Sequence, residues 1–320
     1  MPIAKDVYIE AHPGSCAAFL SYLFPIIRWF LRLPLLRHLR PLAHKVQTVT
    51  QPVGRLSVQL HPATVNPAET RAITIVSANL WHDWPKHRNI VQRLESFIGM
   101  VRNENTDVVL LQEVAHRSNL HVDQWLSDRL GMAYAYSRAN GHETGIGFEE
   151  GLAVLSRFPI QSLYLQQLGS PANIFIHRLA MGAKVVSPWG SFGAISVHLA
   201  MLKRQNAHQL THLFDWLNST MGDLPTIIGG DFNSHESSTR MKRVRSVWTD
   251  TFRLLNPDAD GTTHELRIPL VKWIQRSRLD YIFLRHGKAK WKVLETRHLD
   301  GCNGPHSDHR AVLTRVMLTP

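Results

Sequence analysis

Apolar residues recur along this chain at two spacings. Short unbroken runs bounded by polar residues or glycine read as buried strands. They fall at Ile73–Asn79, Val108–Leu111, Leu152–Leu155, Ile160–Gln167, Ile174–Val186, Phe192–Val197, Thr226–Ile228, Tyr281–Leu284, Trp291–Glu295 and Ala311–Met317. Helical spacing governs His87–Asn103, where Ile90, Val91, Leu94, Phe97, Ile98 and Val101 share one face, and Lys203–Asn218, with Leu210, Leu213, Phe214 and Leu217. Asn119–Leu130 reads as a further helix. This mixture of strand-helix units and consecutive strands suggests two packed sheets with helices outside.

The N-terminus follows another pattern. Residues 1–15 are polar, contain Pro and Gly, and read as loosely ordered. Residues 16–43 form the most apolar stretch, but Arg28, Arg32, Arg37 and Arg40 interrupt it and Pro25 and Pro34 would kink it. That is too broken to span a bilayer, and the charge follows the apolar run, unlike a secretory signal. Arg28 and Arg32 share one helix face, while Phe19, Leu20, Leu23, Phe24, Ile27, Phe30 and Leu31 cover the other side. Such a segment suits an anionic membrane surface, or docks on the domain that follows. Residues 44–70, with Pro52, Gly54, Pro62 and Pro67, read as a linker or short edge strand, and the main domain occupies 71–320.

Composition adds little to the fold and something to the partner. At 320 residues, 44% hydrophobic and 19% charged, the chain can bury a sizeable core. Its formal net charge of +11 favours anionic partners: nucleic acid, an acidic membrane or phosphorylated substrates. Cys16 and Cys302 form no CxxC pair, which argues against a zinc knuckle and fits a reducing compartment. Nineteen histidines include no HExxH motif.

The chemistry lies where the apolar runs end. Asn79 follows ITIVSA, Glu113 follows DVVLLQ, His198 follows FGAISV, and Asp231 and Asn233 follow TIIGG. Asp280 precedes YIFL, and Asp308 and His309 precede RAVL. One polar strand end is ordinary; six of these types together supply oxygen ligands for a hard cation, a group to activate water and donors for phosphate. Arg178 lies inside the apolar run IFIHRLAM, so it either snorkels or points into a site.

SANLW, LLQEV, SVHL, GGDFN, RLDYIFL and SDHRAV stand in the order typical of the endonuclease/exonuclease/phosphatase superfamily, which the chain resembles from about Ile73 to Val316. GGDFN and SDH are the most specific of these. The resemblance implies a four-layered α/β/β/α sandwich, DNase-I-like, of two mixed sheets with helices outside. It implies Mg²⁺, with Mn²⁺ as substitute, and hydrolysis by in-line attack of water. Carried over residue by residue, Glu113, Asn79 and Asp308 would hold or orient the metal. Asp231 would receive the attacking water's proton, Asn233 and His198 would donate to phosphate oxygens, and His309, held by Asp280, would stabilise the transition state. Apart from the resemblance, the position of Arg178 within its apolar run favours a phosphate-facing role for it. Glu150, in the segment SRANGHETGIGFEEG, reads equally as a site residue or a solvated loop acid and stays outside this set. Trp81 departs from the abasic-site endonuclease branch, where an acid often stands, and His198 leans toward the phosphodiesterase and neutral sphingomyelinase side.

The leading expectation is a magnesium-dependent phosphodiesterase acting on a lipid headgroup or small phosphodiester. It would be a monomeric cytoplasmic enzyme, touching the inner face of a membrane through residues 16–43. A nuclease acting on DNA or RNA is the alternative, and a binding module without chemistry is disfavoured by the complete residue set.

Overall fold

A computed structural model describes residues 9–11, 56–63, 71–169, 176–268 and 273–319. The chain begins with β1 (Ile9–Ala11), β2 (Leu56–Gln59), β3 (Ala72–Asn79), α1 (Ile90–Asn103), β4 (Val108–Arg117) and β5 (Leu120–His121). Then come α2 (Val122–Leu130), β6 (Ala133–His142), α3 (Glu143–Ile146), β7 (Phe148–Ser156), β8 (Ile160–Leu168), β9 (Arg178–Ser187) and β10 (Gly190–His198). The rest comprises α4 (Lys203–Met221), β11 (Thr226–Asp231), α5 (Thr239–Arg245), β12 (Thr249–Asp250) and α6 (Thr251–Leu255). It closes with β13 (His264–Ile268), β14 (Trp273–Ser277), β15 (Asp280–Arg285), β16 (Lys290–Leu299) and β17 (Ala311–Thr319).

Two mixed sheets form, in the orders β1-β8-β9-β10-β11-β15-β12 and β16-β17-β3-β4-β7-β6-β2, with β5 on β4 and β13–β14 a separate hairpin. Ile73, Ile75, Val108 and Leu110 of the second sheet pack against Ala183, Ala194, Ile227 and Ile282 of the first, forming the central core. The outer face of the second sheet meets Leu94, Phe97 and Ile98 of α1 and Leu126 of α2. That of the first meets Leu210, Leu213 and Leu217 of α4 and Met241 and Val244 of α5. The layers therefore run helix, sheet, sheet, helix. Both faces of the central strands are buried, which is why their sequences read as continuous apolar runs rather than alternating ones. Among the described residues, no helix is long and apolar enough to cross a membrane.

Local differences from the sequence reading have physical causes. α1 starts at Ile90, not His87, because His87 and Asn89 take left-handed backbone angles of 48° and 50°. β4 runs on to Arg117 through a register shift between Leu111 and Val114, which frees Glu113 at φ 54°. Leu120–His121 pairs with β4 before α2 begins. The strand expected over Ile174–Val186 begins at Arg178, and residues 170–175 lie outside the described set. β1 pairs in parallel with Leu163–Leu165, within the stretch expected to be loose. β2 sits at an edge on β6. The helix expected within 16–43 lies outside the described residues.

Candidate active site

Sheet register places most of the chemical residues. Parallel pairing sets His198 of β10 opposite Asp231 of β11, and antiparallel pairing sets Asp231 opposite Asp280 of β15. Three adjacent strands thus present His, Asp and Asp at one level of one edge. In the other sheet, parallel pairing of β3 and β4 sets Asn79 beside Gln112, next to Glu113. Asn79 Nδ2 donates to Glu113 Oε1 at 3.1 Å and to Asp231 Oδ2 at 3.2 Å, so one amide ties the two sheets together. Its Oδ1 accepts the backbone N–H of Trp81 at 3.0 Å.

The GGDFN turn is built by close approach. A Cβ at Gly229 would stand 2.7 Å from Leu110 Cδ1 and 3.0 Å from Ser77 Cβ, both on the facing sheet. Past the glycines, Asp231 Oδ1 accepts the Asn233 N–H at 2.8 Å. Asn233 Nδ2 donates to Leu199 O at 2.9 Å and reaches Asp231 Oδ2 at 3.3 Å. Burial, then the neighbouring Asp280 charge, pushes the Asp231 carboxyl up to about 7.

His309 enters from the turn before β17. Its Nδ1 donates to Asp280 Oδ2 at 2.8 Å, and Thr263 Oγ1 donates to the same oxygen at 2.6 Å. Burial alone would depress His309, but the charges of Asp280, Asp231 and Asp308 outweigh it and hold the ring up at about 10. The imidazolium is therefore the state at neutral pH, with Nδ1 committed and Nε2 left to face the cleft. His198 is the opposite case. Burial, then the Arg178 and His309 charges, push it well below its ordinary value. Arg178 Nη1 donates to its Nδ1 at 3.1 Å, and its Nε2 lies 3.5 Å from Asp231 Oδ2.

Glu113 and Asp308 complete the acidic side. His82 N donates to Glu113 Oε2 at 3.2 Å. Asp308 is raised by partial desolvation against the neighbouring groups and further by the Glu113 charge, against His309, while its side chain stays 38% exposed. Neither acid forms a salt bridge with Lys or Arg among the described residues, and Asp280 Oδ1 is buried without a hydrogen-bond partner there. Carboxylates gathered at one edge without a Lys or Arg partner suit a hard divalent cation. Asp231, Asp280 and His309 place side-chain atoms within 4.8 Å of one another, as do His264, Asp308 and His309; a charged His309 pairs with these acids and is not itself a metal ligand.

All nine residues singled out from the sequence thus come to one end of the sandwich. Arg178 does not snorkel; it starts β9 at this edge. Glu150 is buried at 6% exposure inside β7, not in a solvated loop, and its carboxyl interacts with the Arg178 and Glu113 charges. Thr263 and His264 went unread because no apolar run precedes them, and His82 because Asn79, three residues earlier, already marks the end of its run. Trp81, which departs from the abasic-site pattern, has two guanidinium groups over its ring, Arg93 at 4.9 Å and Arg88 at 5.5 Å.

Known proteins share this frame. The chain is 27% identical over 203 residues to Escherichia coli uncharacterized protein YbhP, covering 59% of this chain and 76% of that one. A Leptotrichia buccalis endonuclease/exonuclease/phosphatase family protein superposes with TM-score 0.63 at 19% identity, covering 76% of this chain and 99% of that one. D. rerio TDP2 complexed with single strand DNA product gives 0.62 at 18%, over 77% and 98%. The human Nocturnin catalytic domain with bound sulfate anion gives 0.61 at 18%, over 83% and 97%. Residues 76–301 match the family described as Endonuclease/Exonuclease/phosphatase. This chain therefore belongs to the endonuclease/exonuclease/phosphatase family of hydrolytic phosphoesterases.

Proposed function

We propose that this protein is a divalent-metal-dependent phosphodiesterase, with a lipid headgroup or another small phosphodiester as substrate. The observation that carries the reading is the Asn79 amide, which links Glu113 on one sheet to Asp231 on the other. It sets an acidic cation side against a water-activating side.

Glu113 and Asp308 would hold the cation, and Asn79 would orient that shell through Nδ2. Mg²⁺ suits this oxygen-rich set, with Mn²⁺ as substitute. Such a cation supplies Lewis acidity and lowers the charge repulsion at phosphate. The chain does the rest. Asp231, braced by the Asn233 N–H, takes the proton of the attacking water. His309, oriented by Asp280, offers its charged Nε2–H to a phosphoryl oxygen as charge develops there. Arg178 faces the phosphate while keeping His198 neutral. In this arrangement His198 and Asn233 act first on Asp231, with phosphate contact following substrate entry.

The test is a substrate panel run with Mg²⁺ and with EDTA: bis(p-nitrophenyl) phosphate, sphingomyelin and phosphoinositide vesicles, and single-stranded DNA. Hydrolysis of a lipid or small diester is expected, abolished by EDTA and restored by Mg²⁺. Asp231→Ala and His309→Ala should each lower kcat roughly 10²–10⁴-fold; equal activity in wild type and both variants would reject the assignment. DNA as the cleaved member instead would select the nuclease reading, which the net charge of +11 and the DNA product held by D. rerio TDP2 support. Peripheral action at the inner face of a membrane, by a monomer, completes the proposal.

A further inference from the structure

The loops that rim the site carry an apolar collar. Trp84 follows β3, the strand that ends in Asn79, and is 53% exposed. Ile176 stands two residues before Arg178 and is 60% exposed. Met201 and Leu202 follow His198 and are 75% and 65% exposed, the two most exposed large apolar side chains among the described residues. Leu266, 46% exposed, lies on the β13–β14 hairpin on the same face as His264, and that hairpin is pinned to the site by the bridge between His264 and His309. Strand direction explains the convergence. β3 and β10 end at the catalytic edge, and β9 starts there. Every loop attached to those ends faces the same way.

These side chains come from separate segments of the chain. Scattered apolar residues on a surface are ordinary; these stand apart because the segments that bear them adjoin site residues and include the two most exposed large apolar side chains among the described residues. The platform beneath Trp84 is firm: its ring stacks on Phe148 with centroids 6.1 Å apart, and Phe148 also meets His82 and His87. Cations are interleaved. Lys86 is exposed beside Trp84, and Lys203 and Arg204 directly after Leu202.

We propose that this rim is a membrane-docking face, which seats an anionic phospholipid bilayer over the mouth of the site. The proposal deepens the phosphodiesterase reading by naming the bilayer as the source of substrate, and it rests on that reading. Aliphatic tips with basic flanks match acyl chains beneath anionic headgroups. A nucleic-acid strand would gain little from Met201, Leu202 or Ile176, which offer neither charge nor a stacking plane. A protein partner seated on the collar would close the cleft it surrounds, whereas a bilayer delivers substrate through it. This face differs from residues 16–43, so membrane contact through it does not require that segment.

The test uses the full chain and vesicles of phosphatidylcholine with and without phosphatidylglycerol. Hydrogen exchange should show protection of backbone amides at residues 80–88 and 199–206 on adding phosphatidylglycerol vesicles, and less with phosphatidylcholine alone. The double variant Met201→Ser/Leu202→Ser should bind those vesicles at least tenfold more weakly. Its rate on vesicle substrate, divided by its own rate on bis(p-nitrophenyl) phosphate, should fall by a similar factor. Wild-type vesicle affinity in the variant, or no protection of those amides, overturns the proposal. So does equal protection by single-stranded DNA, or protection by self-association without vesicles. Circular dichroism checks folding, and Trp84→Ala supplies an independent second variant. The exchange footprint is readable even if no ester is hydrolysed, so failure of the docking face and failure of the phosphodiesterase reading are distinguishable.

Discussion

Asp280 touches three groups with one carboxyl: the His309 ring at 2.8 Å, the Thr263 hydroxyl at 2.6 Å and, through charge, Asp231. Asp280→Asn removes the negative charge that keeps His309 protonated and offers an amide that can present either end. Steady-state kinetics on a soluble diester should show kcat falling roughly 10²–10⁴-fold with KM little changed. A KM effect alone would demote Asp280 to a structural role. At this scale the sequence was readable wherever a chemical residue directly follows an apolar run, as with Asn79, Glu113, His198 and Asp231. Thr263 and His264 carry no such flag. Glu150 was equivocal because its segment is rich in Gly and charge, and only pairing of β6 with β7 shows it buried.

The strand that carries Glu113 is fastened by a charged clamp. His116 of β4 lies 2.6 Å from Asp123 of α2 through Nε2 and 3.3 Å from Glu149 of β7 through Nδ1, all three buried. Burial alone would depress His116, but these two acids outweigh it and raise it from 6.5 to about 8. The folded pKa exceeds the unfolded one, so the stabilisation is fully present below pH 6.5 and is lost as pH rises through about 8. The shift corresponds to about 2 kcal/mol, and urea denaturation should show a loss of that order between pH 6 and 9. His116→Leu strands two buried acids and should cost roughly 3–5 kcal/mol while flattening that pH dependence. An unaltered pH dependence in the variant would show that the clamp is not its source. Element type was readable from periodicity, but boundaries moved where left-handed residues or a bulge intervened, as at Asn89 and Glu113.

Across the whole molecule, the geometry of the candidate site depends on two sheets closing to a fixed separation. Gly229 sets part of it, because any Cβ there would meet Leu110 and Ser77 of the facing sheet. Gly229→Ala should destabilise by roughly 1–3 kcal/mol and Leu110→Ala by roughly 2–5 kcal/mol. The double variant should lose less than their sum, because the smaller side chain vacates the space the new methyl needs. Denaturant midpoints of the four proteins measure the coupling, and strict additivity would show that the two side chains do not compete for that space.

Repetition of apolar runs determined that this chain would form buried strands flanked by amphipathic helices, since water is excluded from such residues wherever they occur. The ordered motifs determined the family and the residues worth watching. Which residues meet was decided only by tertiary structure. His198, Asp231 and Asp280 are distant along the chain, and hydrogen-bond register alone brings them to one level. The Asn79 amide reaches Asp231 only because the sheets stack face to face. Burial and facing charge, which no local sequence encodes, then set His309 charged and His198 neutral.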